Sequence, residues 1–233
     1  MYILNPKMKL SRFLLLLFIP FAAFSQSKNA DCNCPISKFA ETKADTVFHL
    51  SRSKSIVLCG YNVKDIIKGK KLFSEFVLSV CGSDTIIKFW GAVLICDVIT
   101  SGDTLLVQTI YDLPVGKSME YRQAVWNTEH IYFKNDKLFR DSVINRGLPK
   151  YTPQQIAAVL DLYQRLPNAN NDTTSDLADK LLISTMSGSK KARAYLVNFR
   201  QKFTALSGVN WEDYDTKIRM LNAWEKQNDH GAW

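Results

Sequence analysis

The sequence predicts an α+β protein, with an N-terminal antiparallel β-sandwich or barrel-like domain followed by a small C-terminal helical bundle. Two observations carry this prediction. Between residues 45 and 145, short β-rich runs alternate with turn residues at a spacing of roughly 10 positions, which is typical of antiparallel sandwiches and barrels. From residue 152 onward, apolar residues instead recur at the three- and four-residue spacing of helices that bury one face.

The β-rich region contains a series of predicted strands joined by tight turns. The strands are residues 55–59, 72–80, 84–90, 92–100, 103–111, 129–134 and 137–144. Short Gly, Asn and Asp connections favour antiparallel hairpins. Three such connections separate neighbouring runs, namely Gly82-Ser83-Asp84, Ser101-Gly102-Asp103 and Asn135-Asp136.

The run 103–111 is apolar on both faces, which distinguishes it from a strand at the surface. One face carries Leu105 and Val107, and the other carries Leu106 and Ile110. Such a strand is typical of a central position that is covered on both sides. We therefore expect the C-terminal helices to cover its second face.

The first helix has the clearest start signal in the chain. Thr152 is the expected N-cap, Pro153 takes the first helical position and Gln155 completes a capping box. Its apolar stripe ends before Pro167. Three further helices are predicted, one that ends at Gly188, one that runs from about Lys190 to just before Gly208, and one that is capped by Asn210.

Residues 1–25 have the features of a cleaved secretory signal peptide. Three basic residues precede an apolar core at 13–24, and Ser25 is a small residue before the expected cut. The core is shorter than the roughly 20 residues that span a bilayer and is interrupted by Pro20, so we expect no membrane anchor after cleavage. The mature protein is therefore expected in the periplasm or outside the cell.

Processing changes both the domain layout and the charge of the chain. We expect a signal peptide at 1–25, an N-terminal extension at 26–35, a β-domain at 36–148, a helical bundle at 150–228 and a tail at 229–233. Loss of the signal peptide removes three positive charges and lowers the formal net charge from +8 to +5. Neither half of the mature chain is strongly basic, so we expect no binding to nucleic acid.

The five cysteines all lie in the first third of the mature chain. Export makes disulfides plausible, and an odd number leaves one thiol over. Two interpretations stay open: a bridge such as Cys59 to Cys81, or buried free thiols at Cys59 and Cys96. Cys32 and Cys34 are interpreted as bridges from the N-terminus to the β-domain rather than as a redox or metal site, because no second Cys/His cluster accompanies them. We expect no metal and no cofactor.

Catalytic candidates are few. The three histidines show no paired spacing, and only His49 and His130, with Asp97 as an acid within an apolar run, qualify as weak candidates. Glu212, Asp213 and Asp215 form a carboxylate cluster that we interpret as first-turn residues of the last helix, where negative charge favours the helix dipole.

A basic cluster at the start of the third helix is the candidate partner-binding site. Lys190, Lys191 and Arg193 lie where positive charge opposes the helix dipole, so local stability does not explain them. In the absence of a catalytic motif, the sequence favours a non-enzymatic protein-binding protein of the bacterial envelope, with another protein as the partner. The alternative is a hydrolase with a site between the β-domain and the helical bundle, using His49 or His130 with a carboxylate.

Overall fold

The computed structural model describes residues 32–35, 43–51, 54–63, 70–83 and 85–229. The expected signal peptide and most of the C-terminal tail lie outside these residues. Eight strands precede five helices, which confirms the predicted α+β class. The strands are β1 (Thr46–Ser51), β2 (Lys54–Val63), β3 (Leu72–Val80), β4 (Ile86–Trp90), β5 (Ile95–Ser101), β6 (Thr104–Leu113), β7 (Arg122–Lys134) and β8 (Lys137–Ile144).

All strand pairs are antiparallel and belong to a single sheet. Its order is β1-β2-β3-β5-β6-β7-β8, and β4 is an additional strand that pairs with β3. The C-terminal half of β3 pairs with β4, whereas its first two residues, Leu72 and Phe73, pair with Asp97 and Cys96 of β5. β1 also contacts β6 and β7. The sheet therefore curls around its inner side, in agreement with the barrel-like expectation.

The three predicted turns connect hairpins as expected. Gly82 joins β3 to β4 and Gly102 joins β5 to β6, with φ angles of 72° and 56°. Asn135 and Asp136 join β7 to β8 with φ angles of 50° and 59°. Two consecutive residues with positive φ are typical of the turn that matches the twist of a two-residue hairpin.

A β-bulge bends β3 against β2. The register shifts between Gly60 and Tyr61, which leaves Glu75 as an extra residue with a φ of 51°. A Cβ atom on Gly60 would lie 2.3 Å from the Cβ of Phe76. Glycine is therefore required at this close approach.

The inner side of the sheet encloses an apolar core. Ile56 and Leu58 of β2 pack there with Phe76 and Leu78 of β3 and with Trp90 of β4, which stacks on Phe76 at a ring distance of 4.7 Å. β5, β6 and β7 contribute Val98, Leu105, Val107 and Ile131. Alternation along each strand sends the residues between these positions to the outer side of the sheet.

The helices pack against the end of the sheet. They are α1 (Pro153–Arg165), α2 (Asp172–Met186), α3 (Lys190–Val197), α4 (Phe199–Lys202) and α5 (Gly208–Asp229). The predicted capping box of α1 is present, with Thr152 N–H donating to Gln155 Oε1 at 2.8 Å and Gln155 N–H donating to Thr152 Oγ1 at 3.3 Å.

Two helix predictions were wrong. The segment expected as one helix from Lys190 breaks at Asn198 into α3 and α4, and the last helix starts at Gly208 rather than after Asn210. The earlier start places Glu212, Asp213 and Asp215 beyond the first turn of α5. Asp213 instead pairs with Lys217 one turn later on the same helix at 2.8 Å and accepts from the Ser175 hydroxyl of α2 at 3.0 Å, so these contacts rather than the helix dipole explain this acid.

The expectation for β6 was correct in part. β6 is a central strand between β5 and β7, but the helices do not pack on Leu106 and Gln108 of its second face. A register shift between Thr109 and Ile110 turns the strand, and the helices pack against its end at Leu113, together with Trp126 of β7 and Ile144 of β8. Among the described residues, no helix has the length and hydropathy of a membrane span.

Candidate functional site

The outer side of β5–β8 carries three rows of cross-strand neighbours, because paired residues in antiparallel strands point to the same side. We call these rows the outer sheet face. The first row is Asp97, Gln108, Thr128 and Val143, the second is Ile99, Leu106, His130 and Asp141, and the third is Ser101, Thr104, Tyr132 and Phe139.

Several positions of the outer sheet face carry apolar side chains that are accessible to solvent. Ile99 and Phe139 are each 40% exposed and Val143 is 50% exposed. The ring of Tyr132 stacks on that of Phe139, with centroids 5.8 Å apart. The rows contain no Lys or Arg, but they include Asp97 and Asp141, and Lys134 and Lys137 follow the third row on the same side. Aromatic residues with a polar and charged rim are typical of protein interfaces.

An imidazole–carboxylate pair lies in the second row of this face, on its last two strands. His130 Nδ1 is 2.5 Å from Asp141 Oδ1, and both side chains are partly open to solvent. With the carboxylate as acceptor, Nδ1 carries the proton and Nε2 of the neutral ring is free to accept a hydrogen bond. His130 lines an open groove of about 390 Å³ with Gln108, Val125, Thr128, Val143, Ile144 and Asn145.

The turn at Asn135-Asp136 contains the information that pairs His130 with Asp141, although the sequence analysis did not predict this pair. The turn at Asn135-Asp136 pairs Lys134 with Lys137, and continuous register from there places His130 opposite Asp141. A two-residue hairpin therefore determines which side chains meet several residues away.

Comparison of the chain with protein-family models, with curated proteins and with solved structures finds no match.

The two other catalytic candidates lie apart from this groove. His49 of β1 is exposed, and its Nδ1 lies 2.8 Å from the hydroxyl of its cross-strand neighbour Ser55. Asp97 is buried at the edge of the outer sheet face, where Lys70 Nζ donates to it at 2.8 Å. Since β6 separates Asp97 from the strand of His130, the structure does not join these candidates into one site.

The cysteines form two disulfides, which confirms the expectation of disulfide bonding. Cys32 bridges to Cys81 and Cys34 to Cys59, whereas Cys96 is a buried free thiol. The example pairing of Cys59 with Cys81 is therefore wrong, because each is joined to the N-terminal segment. Burial raises the pKa of the Cys96 thiol to about 12, so this thiol remains protonated and is a poor nucleophile.

The basic residues at the start of α3 have contacts within the chain. Arg193 donates through Nε and Nη2 to the two carboxylate oxygens of Glu225 on α5, at 2.5 and 2.9 Å. Lys191 Nζ lies 5.6 Å from the ring centroid of Tyr195, and Lys190 is exposed. A tertiary ion pair thus accounts for Arg193 despite its unfavourable place near a helix start.

Two buried charge clusters were missed at the sequence level. On the inner side of the sheet, Glu129 accepts from Lys88 Nζ at 2.7 Å and from Arg140 Nε at 2.8 Å. Its alternation with Ile131 marked an acid on an apolar face, which was a usable signal. Arg140 lies on β8, where the register of the β7–β8 hairpin makes it a diagonal neighbour of Glu129. Lys88 lies on β4, and no sequence pattern predicted its contact.

The second cluster lies where the helices meet the sheet. Lys217 of α5 is buried, with its Nζ 2.9 Å from Asp179 Oδ1 and 2.8 Å from Asp213 Oδ1. The Tyr121 hydroxyl lies 2.7 Å from Asp176 Oδ1 and 3.0 Å from Asp179 Oδ2. Burial raises the pKa of Asp179 to about 6, although Lys217 opposes this shift. Because these groups are bonded to one another, the cluster fastens the start of β7 to α2 and α5.

Proposed function

We propose that this chain is an exported, non-enzymatic protein-binding protein of the bacterial envelope, and that the outer sheet face is its binding surface. Export is supported by the signal-peptide features of residues 1–25 and by two disulfides, which persist in oxidising compartments. These observations support a site of action in the periplasm or outside the cell.

The observation that carries the proposal is the accessible apolar character of the outer sheet face. Ile99 of β5 and Phe139 and Val143 of β8 remain 40–50% exposed on the two outermost strands of this face, and Tyr132, which stacks on Phe139, adds aromatic surface between them. Exposed apolar and aromatic side chains gathered on one face are costly to leave in water and commonly mark an interaction site.

A photocrosslinking experiment in the native envelope tests this proposal. A benzophenone amino acid at position 143 is expected to form adducts with protein upon irradiation. The same residue at position 209 is the matched control, because Val209 is also an exposed valine, at 80%, but lies at the start of α5. Equal adducts at both positions, or none at position 143, would contradict the proposal.

The second candidate function is a hydrolase centred on His130. It is favoured by one observation, the 2.5 Å contact that orients the imidazole with Asp141 beside a groove. Such a pair can act as a general base toward water. The test is turnover of p-nitrophenyl acetate by the purified mature protein. A rate above background that disappears in His130→Gln would support the hydrolase and contradict the non-enzymatic proposal.

A further inference from the structure

The region where α4 leads into α5 contains an open cavity of about 460 Å³. Its lining includes Arg200 of α4, Thr204 and Ser207 of the loop that follows, and Gly208 and Trp211 of α5. We infer that this cavity binds the phosphate group of a small soluble ligand. The inference goes beyond the proposed function, because the cavity shares no residue with the outer sheet face.

Arg200 is the residue that indicates an anionic ligand. Its guanidinium stacks on the indole ring of Trp211, and within the described residues it has neither a hydrogen-bond acceptor nor an ion-pair partner. Stacking occupies one face of the guanidinium and holds its plane, so the N–H donors at its edge remain available to a ligand. Every other described arginine donates to an oxygen of the chain, and these are Arg122, Arg140, Arg146, Arg165, Arg193 and Arg219.

Two hydroxyl groups of the cavity are also available as donors. Asn168 Nδ2 donates to Thr204 Oγ1 at 2.9 Å, and Asn170 Nδ2 donates to Ser207 Oγ at 2.9 Å. A hydroxyl that accepts an amide proton still has its own proton to donate. In the part of the chain that the structure describes, neither hydroxyl donates to an acceptor, so both protons can serve a ligand.

The same two asparagines fix the loop that lines the cavity. Asn168 Oδ1 accepts from the backbone N–H of Ala205 at 3.0 Å. Asn170 Oδ1 accepts from the backbone N–H of Ser207 at 3.2 Å and from Asn210 Nδ2 at 3.0 Å. The loop is therefore held in place before a ligand arrives, which reduces the conformational entropy that binding costs.

The donor set of the cavity fits phosphate better than carboxylate. No Asp or Glu lines the cavity, and Asp213 of α5 is bonded to Lys217 and to the Ser175 hydroxyl. A guanidinium edge offers two parallel N–H donors, and the two hydroxyls add one donor each. A carboxylate has two oxygens to accept these bonds, whereas a phosphate monoester has three terminal oxygens and a larger negative charge.

Titration of the mature, oxidised, isotope-labelled protein with glycerol phosphate tests the inference by two-dimensional NMR at constant ionic strength. We expect saturable shifts of the amide signals of residues 204–211 and of the Trp211 indole N–H, with a dissociation constant of roughly 1 mM. Sodium chloride at the same ionic strength should give no saturable shift. Shifts that do not saturate, or that saturate only in other parts of the chain, would overturn the inference.

Substitutions of Arg200 test which residue carries the binding. Arg200→Gln should weaken binding of glycerol phosphate at least tenfold, and Arg200→Lys about threefold to fivefold, because an ammonium group keeps the charge but not the parallel donors. Arg219→Gln is the matched control, since Arg219 is another exposed arginine and lies outside the cavity. It should leave the affinity unchanged. Equal weakening by Arg200→Gln and Arg219→Gln would overturn the inference in favour of a general effect of charge.

Two further measurements test the ligand class. Ser207→Ala should reduce the preference for glycerol phosphate over acetate, and an unchanged preference would overturn the assignment of phosphate. Co-sedimentation with vesicles of phosphatidic acid in phosphatidylcholine distinguishes a lipid headgroup from a soluble ligand. We expect none, and co-sedimentation that is lost in Arg200→Gln would overturn the soluble ligand in favour of a lipid. Crosslinking through position 143 does not involve this cavity, so the proposed function and this inference can fail separately.

Discussion

The outer side of the sheet is built in two different ways. Over β2 and β3, Val57, Cys59 and Val77 are buried beneath an N-terminal segment that is fastened by Cys32 and Cys34. Over β5–β8, apolar residues on the corresponding side, such as Val143, are exposed. Among the described residues, one half of the sheet is thus covered by its own chain, and the other half keeps apolar side chains exposed; we call them the covered half and the open half.

The small size of the apolar cluster explains why the segment over the covered half is held by disulfides. Ordering each residue of an extended segment costs about 1–2 kcal/mol of backbone entropy. The apolar cluster beneath the segment is small, with Val57, Cys59 and Val77 as its fully buried members, and does not offset this cost by itself. Disulfides reduce the cost by restricting the unfolded chain. Within the described residues, the open half has no disulfide and its apolar residues stay exposed.

The largest effect on stability is expected from removing the disulfides that attach the N-terminal segment to the sheet. Cys32→Ala with Cys81→Ala should lower the free energy of unfolding by about 4 kcal/mol, and Cys34→Ala with Cys59→Ala by about 3.5 kcal/mol, from chain entropy alone. The order follows from their sequence separations of 49 and 25 residues. Guanidinium denaturation measures both values. Cys96→Ala is the control, because it removes no disulfide and should leave the effect of a reductant on stability unchanged. A guanidinium midpoint of the wild type that does not change with reductant would contradict the prediction.

The second largest effect is a dependence of stability on pH, which we expect from a buried acid and not from an acid on the outer sheet face. Burial raises the pKa of Asp179 from 3.8 to about 6, so the folded state binds this proton more tightly than the unfolded state. Its contribution to the free energy of unfolding is greatest below pH 4, decreases as the pH rises to about 6, and is then lost. The decrease amounts to about 2–3 kcal/mol.

Denaturation between pH 4 and pH 7 measures this dependence. Asp179→Asn should remove the decrease, because the amide does not titrate. Asp141→Asn, on the open face, keeps Asp179 and should retain it. Equal slopes for wild type and Asp179→Asn would show that Asp179 does not titrate in this range.

The same substitution on the two halves gives a direct comparison of their packing. Val77→Ala removes buried methyl groups beneath the cover and should cost about 2 kcal/mol through lost transfer energy and a new cavity. Val143→Ala, at a position that is 50% exposed, should change stability by less than about 0.5 kcal/mol. Thermal unfolding measures both. Similar losses of stability from the two substitutions would mean that the side chains of the open half are packed as closely as those of the covered half.

Local patterns predicted the elements whose ends are marked by turns or caps. The ranges predicted for β3 and β8 agree with the structure because glycine or an Asn-Asp turn bounds them, and α1 begins at its capping box. β1 and the first half of β7 were missed. Their sequences mix polar and apolar residues, and their strand conformation depends on pairing with β2 and β6.

The candidate site was only partly accessible to sequence reasoning. His130 was identified as a strand residue, and the turn at Asn135-Asp136 contained the register that pairs it with Asp141. The contacts of Asp97 with Lys70, and of Asp179 with Lys217, join elements that are distant in sequence. Spacing cannot predict such pairs, because tertiary packing rather than local geometry brings them together.

The smallest effect is expected at the boundary between the two halves. Asp97 pairs with Leu72, where β5 meets β3, and its buried carboxylate accepts from a partly exposed Lys70. Lys70→Ala leaves this carboxylate without its cation and should lower the free energy of unfolding by about 1 kcal/mol, because solvent screens part of the interaction. Lys70→Arg should retain most of the stability. The control is Lys70→Ala in an Asp97→Asn background, where position 97 carries no charge. The loss of stability from Lys70→Ala should then disappear. An unchanged loss would assign the effect to the methylene chain of the lysine rather than to the ion pair.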